Sequence, residues 1–139
     1  MSSSSTPHYI IYTDGASRGN PGPAAFAFVI FQDHNQLHSE KGYLGIATNN
    51  QAEYSALLHA WIYLEAKITS EAKVDFFSDS ELMVKQLNKE YRIKDPNIQA
   101  VHEKIQQLSK SFTNITYSHI PRSRNQIADQ LCNEVLDSQ

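Results

Sequence analysis

Runs of apolar residues, broken by turn-forming clusters, predict alternating strands and helices along this chain. "YIIYTD" (residues 9–14) reads as a buried strand and "AAFAFVIF" (residues 24–31) as a second; Gly-Asn-Pro-Gly-Pro between them is turn chemistry. "QLHSEKGYLG" is polar with scattered apolar positions, which fits an exposed third strand, and residues 33–35 before it fit a hairpin turn. The longest helical pattern covers residues 50–67, where Leu57, Leu58, Trp61, Ile62 and Leu64 recur at helical spacing and Asn49 or Asn50 can cap. "KVDFFS" then predicts a short strand and "SELMVKQLNK" a helix. Pro96 opens another helix, "PNIQAVHEKIQQLSK", from a tolerated first-turn position. "NITYSHI" alternates as a strand, and "RNQIADQLCNEVLDS" closes as an amphipathic helix. Three strands in series followed by alternation predict an α/β protein: a mixed five-stranded sheet flanked by about four helices.

Composition narrows the setting. At 139 residues, one domain over residues 8–139 is expected, with "MSSSSTP" (residues 1–7) as a disordered leader. That leader lacks the basic start and apolar middle of a secretory signal, and no stretch approaches the roughly 18 apolar residues of a membrane span. Cys132 is the single cysteine, so no intramolecular disulfide can form, in keeping with a cytoplasmic setting. Net charge is −3, with 12 Lys and Arg spread thinly. A nucleic-acid binder usually carries a basic footprint, so any such role here must rest on a local site, with modest and salt-sensitive affinity.

Four carboxylates stand in awkward places. Asp14 ends the first apolar run, where an Asx turn into the Gly-rich loop is the ordinary explanation. Glu53 shares a helix face with Leu57, Ala60 and Leu64, the core-facing stripe, in the helix's first turn. The helix dipole explains the turn but not the face. Asp79 follows "FFS" and precedes a helix; Ser78 and Glu81 have the spacing of a capping box, which would leave Asp79 free to point elsewhere. Asp129 flanks the apolar stripe of Ala128, Leu131, Cys132 and Val135, where a solvated Asp is unremarkable by itself. Together they change the weighing. Carboxylates taken off water cost several kcal/mol unless compensated, and a divalent cation is the natural compensation. Hard oxygen ligands without His or Cys select Mg²⁺ or Mn²⁺ over zinc.

"YTDGASRGNPGPAAFAFVI", "TNNQAEYSALLHAW", "FFSDSELMVKQL" and "RNQIADQLCNE" resemble, in this order, the motifs of type 1 ribonuclease H. The resemblance implies the ribonuclease H fold and an acidic set of Asp14, Glu53, Asp79 and Asp129. It implies cleavage of the RNA strand of an RNA–DNA hybrid duplex by two metal ions, Mg²⁺ with Mn²⁺ able to substitute, set roughly 3.5–4 Å apart. Carried over, Asp14 bridges both ions, Asp129 joins it on the ion holding the attacking water, and Glu53 and Asp79 complete the other. The products would be a 5′-phosphate and a 3′-hydroxyl. RNA is told from DNA by its 2′-hydroxyls across a wide shallow groove. The matching positions are Ser17 to Asn20 in the loop and the pair Asn49 and Asn50, with Thr48 in the pocket for a DNA-strand phosphate. Helix capping is the ordinary alternative for the two asparagines. A monomer is expected.

Two departures from the family pattern stand out. Well-studied bacterial members carry an extra helix and a basic loop where this chain has only "NKEYRIKDPN", with Lys89, Arg92 and Lys94. Many members also use a mobile His before the final Asp. His119 matches that place in an ungapped comparison, but "NITYSHI" reads as a strand that ends on it. On the strand reading "PRSRN" is a shortened loop without His, and Arg122 or Arg124 would face the scissile phosphate; Arg122 is the first candidate and His119 the weaker one. Both arginines have a plain alternative as solvated surface charges. The missing handle and loop His also keep in view a hybrid- or RNA-binding module with little turnover, which the intact acidic quartet argues against. A transposase- or exonuclease-like nuclease on the same fold would space its acids differently.

Overall fold

The structure is a computed structural model that describes residues 6–139. The leader expected over residues 1–7 lies, for residues 1–5, outside the described residues. Pro7 accepts a backbone hydrogen bond from Lys73 N–H at 2.8 Å.

The chain runs β1 (His8–Ser17), β2 (Gly22–Gln32), β3 (Asn35–Ala47), α1 (Asn49–Lys67), β4 (Lys73–Ser78), α2 (Glu81–Leu87), α3 (Pro96–Ser109), β5 (Asn114–His119) and α4 (Gln126–Asp137). The strands form one five-stranded sheet in the order β3-β2-β1-β4-β5. β1, β2 and β3 pair antiparallel, while β4 runs parallel to both β1 and β5. The expected mixed sheet with four helices is therefore present. A two-residue turn with positive φ at Asp33 (53°) and His34 (68°) joins β2 to β3, a backbone whose twist matches that of a hairpin.

One face of the sheet carries the main core. Ile11, Phe28, Ile30, Val74 and Phe76 from the strands meet Tyr54, Leu57, Trp61 and Leu64 of α1 and Ile105 of α3, all buried. On the other face α4 lays Cys132, Val135 and Leu136 against Ala25 and Ala27. Small residues on β2 let this helix lie close to the sheet.

Several boundaries differ from the sequence expectation. β1 does not end at Asp14: it continues to Ser17, because β2 keeps pairing with it as far as Ser17↔Ala24. What ends near Asp14 is the parallel partner, whose last pair is Thr13↔Ser78. Asp14 therefore sits where β1 and β4 part. α1 is capped by Thr48, not by Asn49 or Asn50. The Thr48 hydroxyl accepts from Gln51 N–H at 3.1 Å, and the Gln51 side chain accepts from Thr48 N–H at 2.8 Å, a reciprocal capping box. At α2 the cap is Ser80, accepting from Met83 N–H, and the expected Ser78–Glu81 box is absent because Ser78 still belongs to β4. α4 begins at Gln126; Arg122–Arg124 ahead of it form a separate 3₁₀ turn.

Candidate active site

Asp14 and Glu53 owe their meeting to Gly15. A Cβ at that position would sit 2.1 Å from the backbone carbon of Ala52, so only glycine lets the first turn of α1 rest on β1. In that contact Gly15 N–H donates to Glu53 Oε1 at 3.0 Å. Asp79 enters directly after the last residue of β4, and Asp129 from the first turn of α4. Asp14, Glu53 and Asp79 each offer a carboxylate oxygen within 4.8 Å of the others. Asp14 is 4% exposed and Glu53 8%. Asp129 adjoins this group, close enough for its charge to act on Asp14.

Burial pushes Asp14 up to about 8, and the neighbouring charges of Asp79 and Asp129 add to the rise. Burial also holds Glu53 well above the usual carboxylate range, reinforced by Asp14 and Asp79 and opposed by the Gly15 N–H and Arg122. Asp79 is raised by burial, against the pull of the Asn125 amide, Arg122 and His119. Asp14 Oδ2 is buried and accepts no hydrogen bond from the described residues. Clustered carboxylates lifted by burial and mutual repulsion, one with an unpaired oxygen, fit an oxygen-loving divalent cation.

Arg122 reaches this cluster from the 3₁₀ turn: its guanidinium lies 3.2 Å from Asp129 Oδ1, on a side chain 76% exposed. His119 is the last residue of β5, in register with Ser78, and Ile120 N–H donates to Ser78 O at 2.9 Å. Arg124 does not join the carboxylates; it lines a pocket of about 630 Å³ on the α4 face of the sheet, over Ile10, Tyr12 and Phe31.

The candidate substrate residues gather where the Gly-rich loop meets α1. Ser17 N–H donates to Asn49 Oδ1 at 2.9 Å, and Asn49 N–H to Asn20 Oδ1 at 3.1 Å. The Ser17 hydroxyl donates to Gly19 O and Ala47 O. Thr48 spends its hydroxyl on the helix cap, whereas Asn50 Oδ1 is buried without a partner. The residue that sequence reasoning missed is Asn125, 1% exposed, whose amide donates to Thr13 O at 2.9 Å beside Asp79. An Asn just before a helix reads as an ordinary cap, and no local signal reveals a partner on β1.

The family model described as reverse transcriptase-like matches residues 12–135. Ribonuclease HI of Halobacterium salinarum is 41% identical over 128 residues, covering 91% of this chain and 63% of its own. A bifunctional protein of Mycobacterium tuberculosis is 37% identical over 131 residues, 93% of this chain and 35% of its own. The chain thus spans about a third of the mycobacterial relatives it matches. Among solved structures, LC11-RNase H1 in complex with an RNA/DNA hybrid superposes with a TM-score of 0.88 at 40% identity, covering 94% of this chain and 97% of that one. The sheet order and the acidic corner are those of a ribonuclease H fold. The chain belongs to the type 1 ribonuclease H family.

Proposed function

We propose that this protein is a metal-dependent endoribonuclease that hydrolyses the RNA strand of RNA–DNA hybrids, leaving 5′-phosphate and 3′-hydroxyl ends. The observation that carries the reading is the acidic corner, with three carboxylate oxygens within 4.8 Å and Asp14 Oδ2 unpaired. Pure binding of a phosphate backbone would gain nothing from such a cluster. Asp14, Glu53, Asp79 and Asp129 would hold two Mg²⁺ ions, or Mn²⁺ in their place. When bound, the ions supply Lewis acidity that offsets charge developing on the attacking and leaving oxygens.

The chain's own groups do the rest. The Gly15 N–H orients Glu53, and the guanidinium of Arg122 stands beside Asp129 where a phosphate would lie. Arginine's planar fork suits phosphate and stays charged at working pH. Asn50, whose Oδ1 is buried without a partner among the described residues, would present that oxygen to a 2′-hydroxyl donor by turning its side chain outward, while Ser17, Asn20 and Asn49 hold the loop against α1. The working unit is residues 8–139 as a monomer in the cytoplasm, which size-exclusion chromatography and cell fractionation test.

The deciding experiment incubates labelled RNA–DNA hybrid, RNA duplex and single strands with Mg²⁺ or Mn²⁺. Cleavage of the hybrid's RNA strand, stopped by a chelator, is expected; an intact hybrid under all conditions refutes the reading. Binding to a hybrid should also be weak and fall along a shallow salt slope. The chain offers 12 Lys and Arg against 15 Asp and Glu, and each phosphate contact contributes about −0.9 to the log–log slope. A titration that returns a slope of about −6 or steeper would reveal a basic surface absent from this account.

A further inference from the structure

We propose that Asn125 is a positioning residue, one that ties the segment bearing Arg122 and Asp129 to β1 at the point where Asp14 emerges. The inference rests on the hybrid-cleaving reading above. Its basis is the parting of two strands. Thr13↔Ser78 is the last parallel pair of β1 and β4, and beyond it Ser80 N–H turns back to Ser78 Oγ at 3.0 Å. The carbonyl of Thr13, immediately before Asp14, is met instead by Asn125 Nδ2 at 2.9 Å, across 112 residues of sequence.

The backbone of Asn125 extends the tie in both directions. Its N–H donates to Arg122 O at 3.0 Å, closing the 3₁₀ turn, and its carbonyl accepts from Asp129 N–H at 3.1 Å, opening α4. One residue thus connects the carrier of Asp14 to the carriers of Arg122 and Asp129, and its amide lies against Asp79. The cost of this arrangement is visible. Asn before a helix ordinarily accepts a backbone N–H, yet Asn125 makes no side-chain cap, and its Oδ1 is buried without a partner among the described residues. A side chain placed only to stabilise α4 would make the local bond.

Loss of an outer support of this kind typically lowers metal affinity or turnover by about tenfold to a hundredfold. Asn125→Ala and Asn125→Asp are to be compared with the parent in two assays: kcat and KM on an RNA–DNA hybrid, and Mn²⁺ binding to the free protein by calorimetry. Asp has the size of Asn but no N–H to offer Thr13. For both variants kcat should fall by about tenfold or more with KM nearly unchanged, and in Asn125→Ala, which adds no charge beside the carboxylates, Mn²⁺ affinity should be about tenfold weaker. A folded variant that melts earlier but keeps the parent's kcat and Mn²⁺ affinity would reduce Asn125 to a structural strut and overturn the proposal. If Asn125→Ala does not fold, Asn125→Asp decides by the split between kcat and KM. A parent protein that cleaves no hybrid defeats the functional reading, and the Mn²⁺ titration then settles the positioning role alone.

Discussion

An Asp14→Asn protein should fold, lose hybrid cleavage entirely and, without metal, be more stable than the parent at neutral pH. Activity vanishes because Asp14 is the member of the cluster that Asp79 and Asp129 both press upon, with one oxygen left unpaired. Stability rises because the parent must either keep a buried charge among like charges or bind a proton the unfolded chain would release. The pH dependence has a definite sign. Asp14 is raised from 3.8 to about 8, so below about 4 its full contribution to stability is present, and it drains away as pH climbs through about 8. Metal-free parent protein should therefore lose stability between about pH 4 and pH 8, and Asp14→Asn should flatten part of that fall. Glu53 and Asp79 are raised too and keep some slope in the variant. Thermal unfolding across pH, in chelator, measures it. A folded Asp14→Asn protein that still cuts hybrid would sink the metal assignment.

Arg122→Ala should slow turnover by about tenfold to a hundredfold, whereas His119→Ala should leave it near the parent's. The Arg122–Asp129 pair is 3.2 Å long on a largely exposed side chain, and such pairs hold little energy, so the guanidinium is free to turn to a phosphate. His119 is fixed at the end of β5 by its register with Ser78 and by the Ile120 N–H bond to Ser78 O. It lies near enough to draw Asp79 down, which makes the comparison a sharp one. Two kinetic series decide. Should His119→Ala prove the more damaging, His119 takes the part assigned to Arg122.

The sheet, its order of elements and the unusual place of Glu53 were legible because they rest on periodicity: a carboxylate in line with Leu57, Ala60 and Leu64 is visible without coordinates. Asp129 was not conspicuous by itself, since a helix flank is an ordinary home for Asp. Caps were misplaced for a common reason. Thr48, Asn49 and Asn50 are all competent to cap, and so are Ser78 and Ser80; what chooses among them is where the neighbouring strand stops, a tertiary fact. The end of β1 is illegible in sequence because Gly15, Ala16 and Ser17 are weak strand formers, held extended by pairing with β2 and by bonds to Glu53 and Asn49 of α1. Asn125 escaped notice because its partner, Thr13 O, is remote in sequence.

The direct seat of α1 on Gly15 divides the acidic corner into two mechanical halves. Between Asp14 and Glu53 there is backbone against backbone and one short hydrogen bond, so their separation is set by hard-core contact and can hardly vary. Arg122 hangs from an exposed 3₁₀ turn that a single side-chain amide ties to β1, whereas Asp129 rides on α4, which Cys132, Val135 and Leu136 pack against the sheet. The exposed Arg122 arm is therefore the part free to adjust to a ligand, while the Asp14–Glu53 side is the fixed jaw. Changes that soften the arm loosen the grip; changes at the α1 seat alter what is being gripped.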